Sequence, residues 1–201
     1  MKLYFSPGAC SLSPHIVLLE AGLPFSLDKV DMGTKQTASG QDFRAINSKG
    51  YVPALETDSG AILTEGPAIV QYLADLAPEK NLAPPNGTIE RYQMMSWLNF
   101  IGTEIHKNYS PLFDPAGSDD VKTAARNNLG KRYAHVNTAL DGREYLTGQF
   151  SLPDIYLYVV TNWAGHVKFD LTPFPHVKAL HKRIGERPAV QQALRAEGLL
   201  K

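Results

Sequence analysis

The strongest constraint on this chain is a change of hydrophobic period partway along it. Over roughly the first 80 residues, short apolar runs alternate with helical patterns. Residues 2–5 form an apolar run closed by Ser6-Pro7-Gly8, which predicts a strand ending in a turn. Residues 13–21 carry Ile16, Val17 and Leu19, with Pro14 admissible only in a first helical turn and Gly22 as a stop. Phe25, Leu27 and Val30 mark a second strand. A polar loop over 31–40 precedes a short helix over 42–46. Residues 53–57 and 61–63 flank Asp58-Ser59-Gly60, a hairpin signal. Residues 65–77 then place Ile69, Val70, Leu73 and Leu76 at helical spacing. The predicted order is β-α-β-α-β-β-α: a βαβ unit with parallel strands, closed by a hairpin.

Beyond this the strand signals stop. Pro78, Pro84, Pro85 and Gly87 punctuate a linker without periodicity. Helices are predicted over 91–109, 119–140, 151–167, 174–186 and 188–196, the first with Trp97, Leu98, Ile101 and Ile105 on one face. We therefore expect a small α/β domain over residues 1–81 and an all-α domain over 87–201. Lysine plus arginine number 20 and aspartate plus glutamate 20, so no basic excess supports nucleic-acid or anionic-membrane binding. No apolar run approaches the roughly 18 residues of a membrane-spanning helix. The single cysteine excludes an internal disulfide and points to a reducing, cytoplasmic setting.

That cysteine, Cys10, sits where the first strand gives way to the first helix. Unpaired backbone N–H groups and the helix dipole favour an anion there, which would lower the thiol pKa. An inert buried cysteine accounts for the residue equally well. Ser13 stands where a Cys-x-x-Cys pair would have its second thiol, so any redox cycle needs an external thiol. Val52-Pro53 enters the third strand. Proline there is either an edge device or a cis peptide that turns the Val52 backbone toward an extended peptide. Thr64 is the expected N-cap of the next helix. Glu65 is then a first-turn acid, or takes a ligand ammonium while the Gly66 N–H takes a ligand carboxylate. Ser151-Leu152-Pro153-Asp154 reads as a structural capping box. Asn99, Thr103 and His106 share one helical face, either a plain polar face or a wall of donors toward the thiol. The histidines show no metal-ligand spacing, and no phosphate-binding glycine loop is present.

Taken together, these strings resemble a glutathione transferase of the bacterial beta class. The resemblance runs the length of the chain. It rests on Pro7-Gly8-Ala9-Cys10-Ser11, Asn47-x-Lys49-Gly50-x-Val52-Pro53-Ala54-Leu55, Leu63-Thr64-Glu65-Gly66-x-Ala68-Ile69, Trp97-Leu98-Asn99, Glu104-x-His106-Lys107 and Glu186-Arg187-Pro188-x-Val190. It implies a thioredoxin-like N-terminal domain, an all-helical C-terminal domain carrying the electrophile pocket, and a homodimer. It also implies glutathione as co-substrate with no tightly bound cofactor, and conjugation to hydrophobic electrophiles as the activity. Val52 beside a cis Pro53 would pair with the cysteinyl backbone of glutathione, and Glu65 and Gly66 would hold its γ-glutamyl end. Lys35, His106 and Lys107 would lie around its glycyl end and sulfur. Asn99 and Thr103 would face the site, some contacts coming from the partner subunit. Cys10, Ser11 and His106 would stabilise the thiolate. Gly66 departs from the serine common in the superfamily and offers only its N–H. The Gly148-Gln149-Phe150-Ser151 loop is shorter than in many relatives. Tyr4 stands near the catalytic tyrosine of other classes but is expected to point to the wrong face. Tyr109, Pro111, Phe113 and Trp163 are either pocket wall or core. Two rivals to conjugation are glutathione-dependent disulfide exchange through Cys10 and a non-catalytic ligand-binding dimer.

Overall fold

A computed structural model describes residues 1–201. The chain divides into two compact units, one of Met1–Ala83 with Glu186–Lys201 and one of Pro84–Gly185. The first unit contains β1 (Lys2–Phe5), α1 (Leu12–Ala21), β2 (Ser26–Lys29), α2 (Phe43–Ile46), β3 (Ala54–Glu56), β4 (Ile62–Thr64) and α3 (Gly66–Asp75). The second contains α4 (Ile89–Phe100), a π-helical turn (Ile101–His106), α5 (Lys107–Phe113), α6 (Asp119–Ala139), α7 (Leu152–Thr161), α8 (Trp163–His166) and α9 (Pro175–Gly185). The chain then returns to the first unit with α10 (Pro188–Ala196). The predicted order of strands and helices holds. The cut between the units differs from the expected one at its far end, because residues 186–201 belong with the α/β layer.

In the first unit the sheet runs β2-β1-β3-β4. β1 and β2 are parallel, with Leu3 opposite Leu27, and α1 supplies the crossover that parallel strands need. β1–β3 and β3–β4 are antiparallel, and Leu55 faces Leu63 across the hairpin. Gly60 takes φ +82° at the hairpin turn, a conformation that favours glycine. Residue alternation along β1 splits its contacts between two faces. Phe5 lies 6.2 Å from the His15 ring of α1. Tyr4 faces the other way, among Val30, Phe43, Val52 and Ala54, and its hydroxyl donates to Glu56 at 2.8 Å. The tyrosine of the first strand is thus committed to the face opposite α1.

α1 is buried around most of its circumference, from Leu12 through Leu18. The cause is that it packs against α3 and also against α10. A helix covered on more than one side has no polar face to show, so its sequence is apolar nearly throughout. Ile16, Val17 and Leu18 are fully removed from water, each contributing about 1.5–3 kcal/mol. Gly22 ends the helix in the left-handed region at φ +66°.

The second unit is built around α7, every residue of which is buried. α9, α4 and the π turn pack on it. Its start is set by the predicted capping box. The Asp154 carboxylate, inaccessible to solvent, accepts N–H groups of Ser151 and Leu146 at 2.9 Å each and the Ser151 hydroxyl at 3.2 Å. Burial pushes its carboxyl up to about 6 against the pull of those donors. We expect Asp154→Ala to cost about 3 kcal/mol, because buried N–H groups lose their acceptor, with Asp154→Asn losing less. Equilibrium urea denaturation reads the difference.

Candidate functional site

The loop that carries Cys10 is tied down at several points. The fully buried Ser11 hydroxyl accepts the Ser6 N–H at 3.1 Å and donates to the Ser6 carbonyl at 3.2 Å. Gly8, at φ +72°, donates its N–H to Glu197 Oε2 at 2.9 Å. The other oxygen of Glu197 meets His15 Nδ1 at 2.8 Å, and both side chains are buried. These contacts hold Cys10 at the start of α1. Its thiol donates to the Val52 carbonyl at 3.3 Å.

Burial opposes the lowering of the Cys10 pKa that a helix N-terminus would favour. Burial pushes the thiol up to about 11, with the Glu65 charge adding to the rise, while the N–H groups of Cys10 and Ser11 pull the other way. The helix N-terminus is present and has the predicted sign, but desolvation outweighs it. The Ser11 side chain is likewise bound to the end of β1, leaving only its backbone N–H toward the thiol.

Two further segments converge near the thiol. The Val52–Pro53 bond is cis. Pro53 Cγ lies 3.9 Å from where a side chain on Gly66 would begin. Glu65, and not the expected Thr64, is the N-cap of α3, and it holds φ +68°, a left-handed conformation for a non-glycine residue that costs about 1–3 kcal/mol. Its carboxylate accepts the Lys49 ammonium and, at 3.2 Å, the Tyr51 hydroxyl. Lys49 also donates to Thr64 Oγ1 at 3.1 Å. Since Pro67 follows Gly66, the Gly66 N–H is the one amide at the first two helical positions of α3. Lys49 and Tyr51 were not singled out in the sequence as partners of Glu65. Their contacts span 16 and 14 residues, beyond any local pattern.

Lys35 also takes a left-handed backbone, at φ +61°, in the loop before α2, where its carbonyl accepts the Phe43 N–H at 2.8 Å. No hydrogen bond or ion pair links it to the residues around Cys10.

The second unit presents His106 at the end of the π turn. Its Nδ1 lies 2.7 Å from the Tyr156 hydroxyl, and its ring meets Trp163 edge-on at 4.8 Å. Burial, helped by the neighbouring Lys107, lowers its pKa to about 4, so the ring is neutral at pH 7. Asn99 and Thr103 are exposed, and the Thr103 hydroxyl donates to the Asn99 carbonyl at 3.0 Å. The predicted common face with His106 is therefore broken. The π turn widens the helix between Asn99 and His106 and changes the angle at which later side chains emerge. Lys107 is exposed.

Tyr109 is core: it is fully buried and hydrogen-bonded to Tyr133 at 2.9 Å. It joins Phe113 and Trp163 in one ring cluster. A separate cavity of about 730 Å³ is lined by Trp97, Phe100, His135 and Arg143 among others, and none of Tyr109, Pro111, Phe113 and Trp163 lines it. No group of three or more histidine, cysteine or acidic residues could hold a metal ion. No helix is long and apolar enough to cross a membrane.

Comparison with known proteins bears directly on these arrangements. A family model for the glutathione S-transferase N-terminal domain matches residues 8–76, and one for the C-terminal domain matches residues 100–188. The glutathione S-transferase GstA of Escherichia coli O157:H7 is 47% identical over 200 residues, covering 99% of this chain and all of that protein. A structure described as the ternary complex of BphK, a bacterial transferase of this kind, is 57% identical with a TM-score of 0.98, covering 99% and 100% of the two chains. A sphingomonad glutathione S-transferase complexed with glutathione is 48% identical with a TM-score of 0.96, again covering 99% and 100%.

A neutral Cys10 has a measurable signature. Its alkylation by iodoacetamide should accelerate about tenfold per pH unit up to at least about pH 9, because only the thiolate reacts. A rate that levelled below about pH 8 would mark a low-pKa thiol instead.

Proposed function

This chain belongs to the bacterial beta class of the glutathione S-transferase family, and on that premise we propose how it conjugates reduced glutathione to hydrophobic electrophiles, in a cytoplasmic detoxifying role. The observation that carries the proposal is the meeting of Cys10, Val52, Pro53, Glu65 and Gly66 within the first unit, from three separate stretches of sequence. Glu65 receives the γ-glutamyl ammonium, with Lys49 and Tyr51 fixing its carboxylate. The Gly66 N–H receives the γ-glutamyl carboxylate at the positive end of α3. The Val52 backbone pairs with the cysteinyl backbone as a short added strand. Lys35 serves the glycyl carboxylate. Asn99 and Thr103 complete the contacts with glutathione, some supplied by the partner subunit of a homodimer. Exposed Ile89 and Tyr92 on α4 are surfaces that a second copy would cover.

In the chemical step the glutathione thiol gives up its proton to solvent. The sulfur lone pair forms the new C–S bond, and the leaving group departs with the electrons of the bond that breaks. Cys10 acts here as a neutral donor. When the cysteinyl N–H of glutathione takes the Val52 carbonyl, it competes with the Cys10 thiol for that acceptor, and the S–H turns toward the glutathione thiolate. The N–H groups of Cys10 and Ser11 act in the same sense. His106 and Lys107 contribute a neutral donor and a cation toward the sulfur and the departing group. Disulfide exchange through Cys10 needs a thiolate, and burial works against one.

Retention on immobilised glutathione, followed by a spectrophotometric conjugation assay, tests the activity. Retention with background turnover against a panel of electrophiles would instead support the binding-only reading. Glu65→Gln should raise KM for glutathione about tenfold or more while changing kcat little, since it removes ground-state and transition-state binding alike. Cys10→Ala should abolish any thioltransferase activity and slow conjugation by about ten- to a hundredfold, the worth of one hydrogen bond to a charged group. A collapse of conjugation would show that Cys10 does more than donate.

A further inference from the structure

His106 is held by a residue that no motif in the sequence brings forward. Tyr156 lies 50 positions along the chain, in the fully buried α7, and its hydroxyl stands 2.7 Å from His106 Nδ1. The phenol also lies against the π turn, 3.6 Å from where a side chain on Gly102 would begin. Trp163 closes the arrangement, edge-on to the imidazole at 4.8 Å. A ring fixed on one nitrogen and packed against an indole has little freedom to rotate, so its second nitrogen is aimed by these contacts.

We propose that Tyr156 is a positioning residue for conjugation: it donates its hydroxyl to Nδ1 and thereby keeps His106 in the tautomer whose proton sits on Nε2. A phenol is a better donor than a neutral imidazole N–H, and an imidazole nitrogen is a better acceptor than a phenol oxygen. The contact therefore runs from oxygen to nitrogen. A neutral ring has one proton, and with Nδ1 accepting, that proton is on Nε2. His106 is then a hydrogen-bond donor in its ground state and needs no protonation before it can stabilise developing negative charge. The orienting logic is that of a base fixed by a third group, here with a phenol where a carboxylate would raise basicity. The inference rests on the role given to His106 in the proposed function, and it adds the group that sets its direction and protonation.

The test uses the full chain and its conservative variant Tyr156→Phe. Long-range ¹H–¹⁵N correlation spectra of the His106 ring should show a single Nε2–H tautomer in the unmodified protein and a mixture in Tyr156→Phe. With glutathione and an activated aryl chloride, Tyr156→Phe should lower kcat about tenfold and leave KM for glutathione unchanged, as expected for an interaction used only in the transition state. The same substitution should have almost no effect in a His106→Phe background, which keeps a ring against Trp163. An Nδ1–H tautomer in the unmodified protein, or an equal loss in both backgrounds, overturns the inference while leaving the role of His106 intact. Unmodified turnover in His106→Phe alone overturns that role, and the catalytic part of the inference with it.

Discussion

A carboxylate buried away from water must find partners inside the protein, and Glu197 finds them at both ends of the segment that carries the thiol. One oxygen takes the Gly8 N–H before Cys10, and the other meets His15 after it. An unpaired charge at that depth would cost several kcal/mol (about 3–5 by measured examples). The last turn of the chain is therefore bound to the loop between β1 and α1. A second pairing, the two-pronged contact of Arg187 with Glu20 at 2.6 and 2.9 Å, holds the start of α10 to the last turns of α1. Between these two anchors α10 lies along α1. This is why the chain's end belongs with the α/β layer and why α1 can be apolar on nearly all sides.

Desolvation decides the chemistry of both units in the same direction. At Cys10 it opposes the helix N-terminus and wins, leaving a thiol that donates to Val52. At His106 it removes the positive charge, leaving an imidazole fixed by Tyr156. Two groups that in water would be partly ionised near neutrality are thus both held uncharged. In the proposed reaction each would stabilise an anion as an oriented hydrogen-bond donor, which needs no reorganisation as charge develops. The charged pair of Glu65 and Lys49 lies at a more exposed edge of the first unit, where an ion pair is tolerable.

The π turn is the feature of the second unit that the rest of its polar geometry follows. It joins α4 to α5 across Ile101–His106, and Pro111, which has no N–H to give, sits one turn further on. A widened turn rotates the residues after it relative to those before it. His106 consequently turns onto α7, while Asn99 and Thr103 remain exposed.

Much of the fold was legible because its signals are local. The β-α-β-α-β-β-α order followed from period and turn residues, the capping box from four consecutive residues, and the place of Cys10, Val52, Pro53, Glu65 and Gly66 from short strings. Tyr4 could be assigned to the far face because alternation along a strand is strict. The sign of the Cys10 shift, the commitment of the Ser11 hydroxyl, the N-cap of α3 and the broken face of Asn99, Thr103 and His106 were not legible. Each depends on which atoms crowd or bond a group from elsewhere in the chain. By itself the sequence determined the order of elements, the family and the short strings that carry Cys10, Val52, Pro53, Glu65 and Gly66. Only the tertiary structure decided their ionisation and aim, because burial and hydrogen-bond partners come from segments such as Glu197, Lys49 and Tyr156 that no periodic pattern connects to the residues they control.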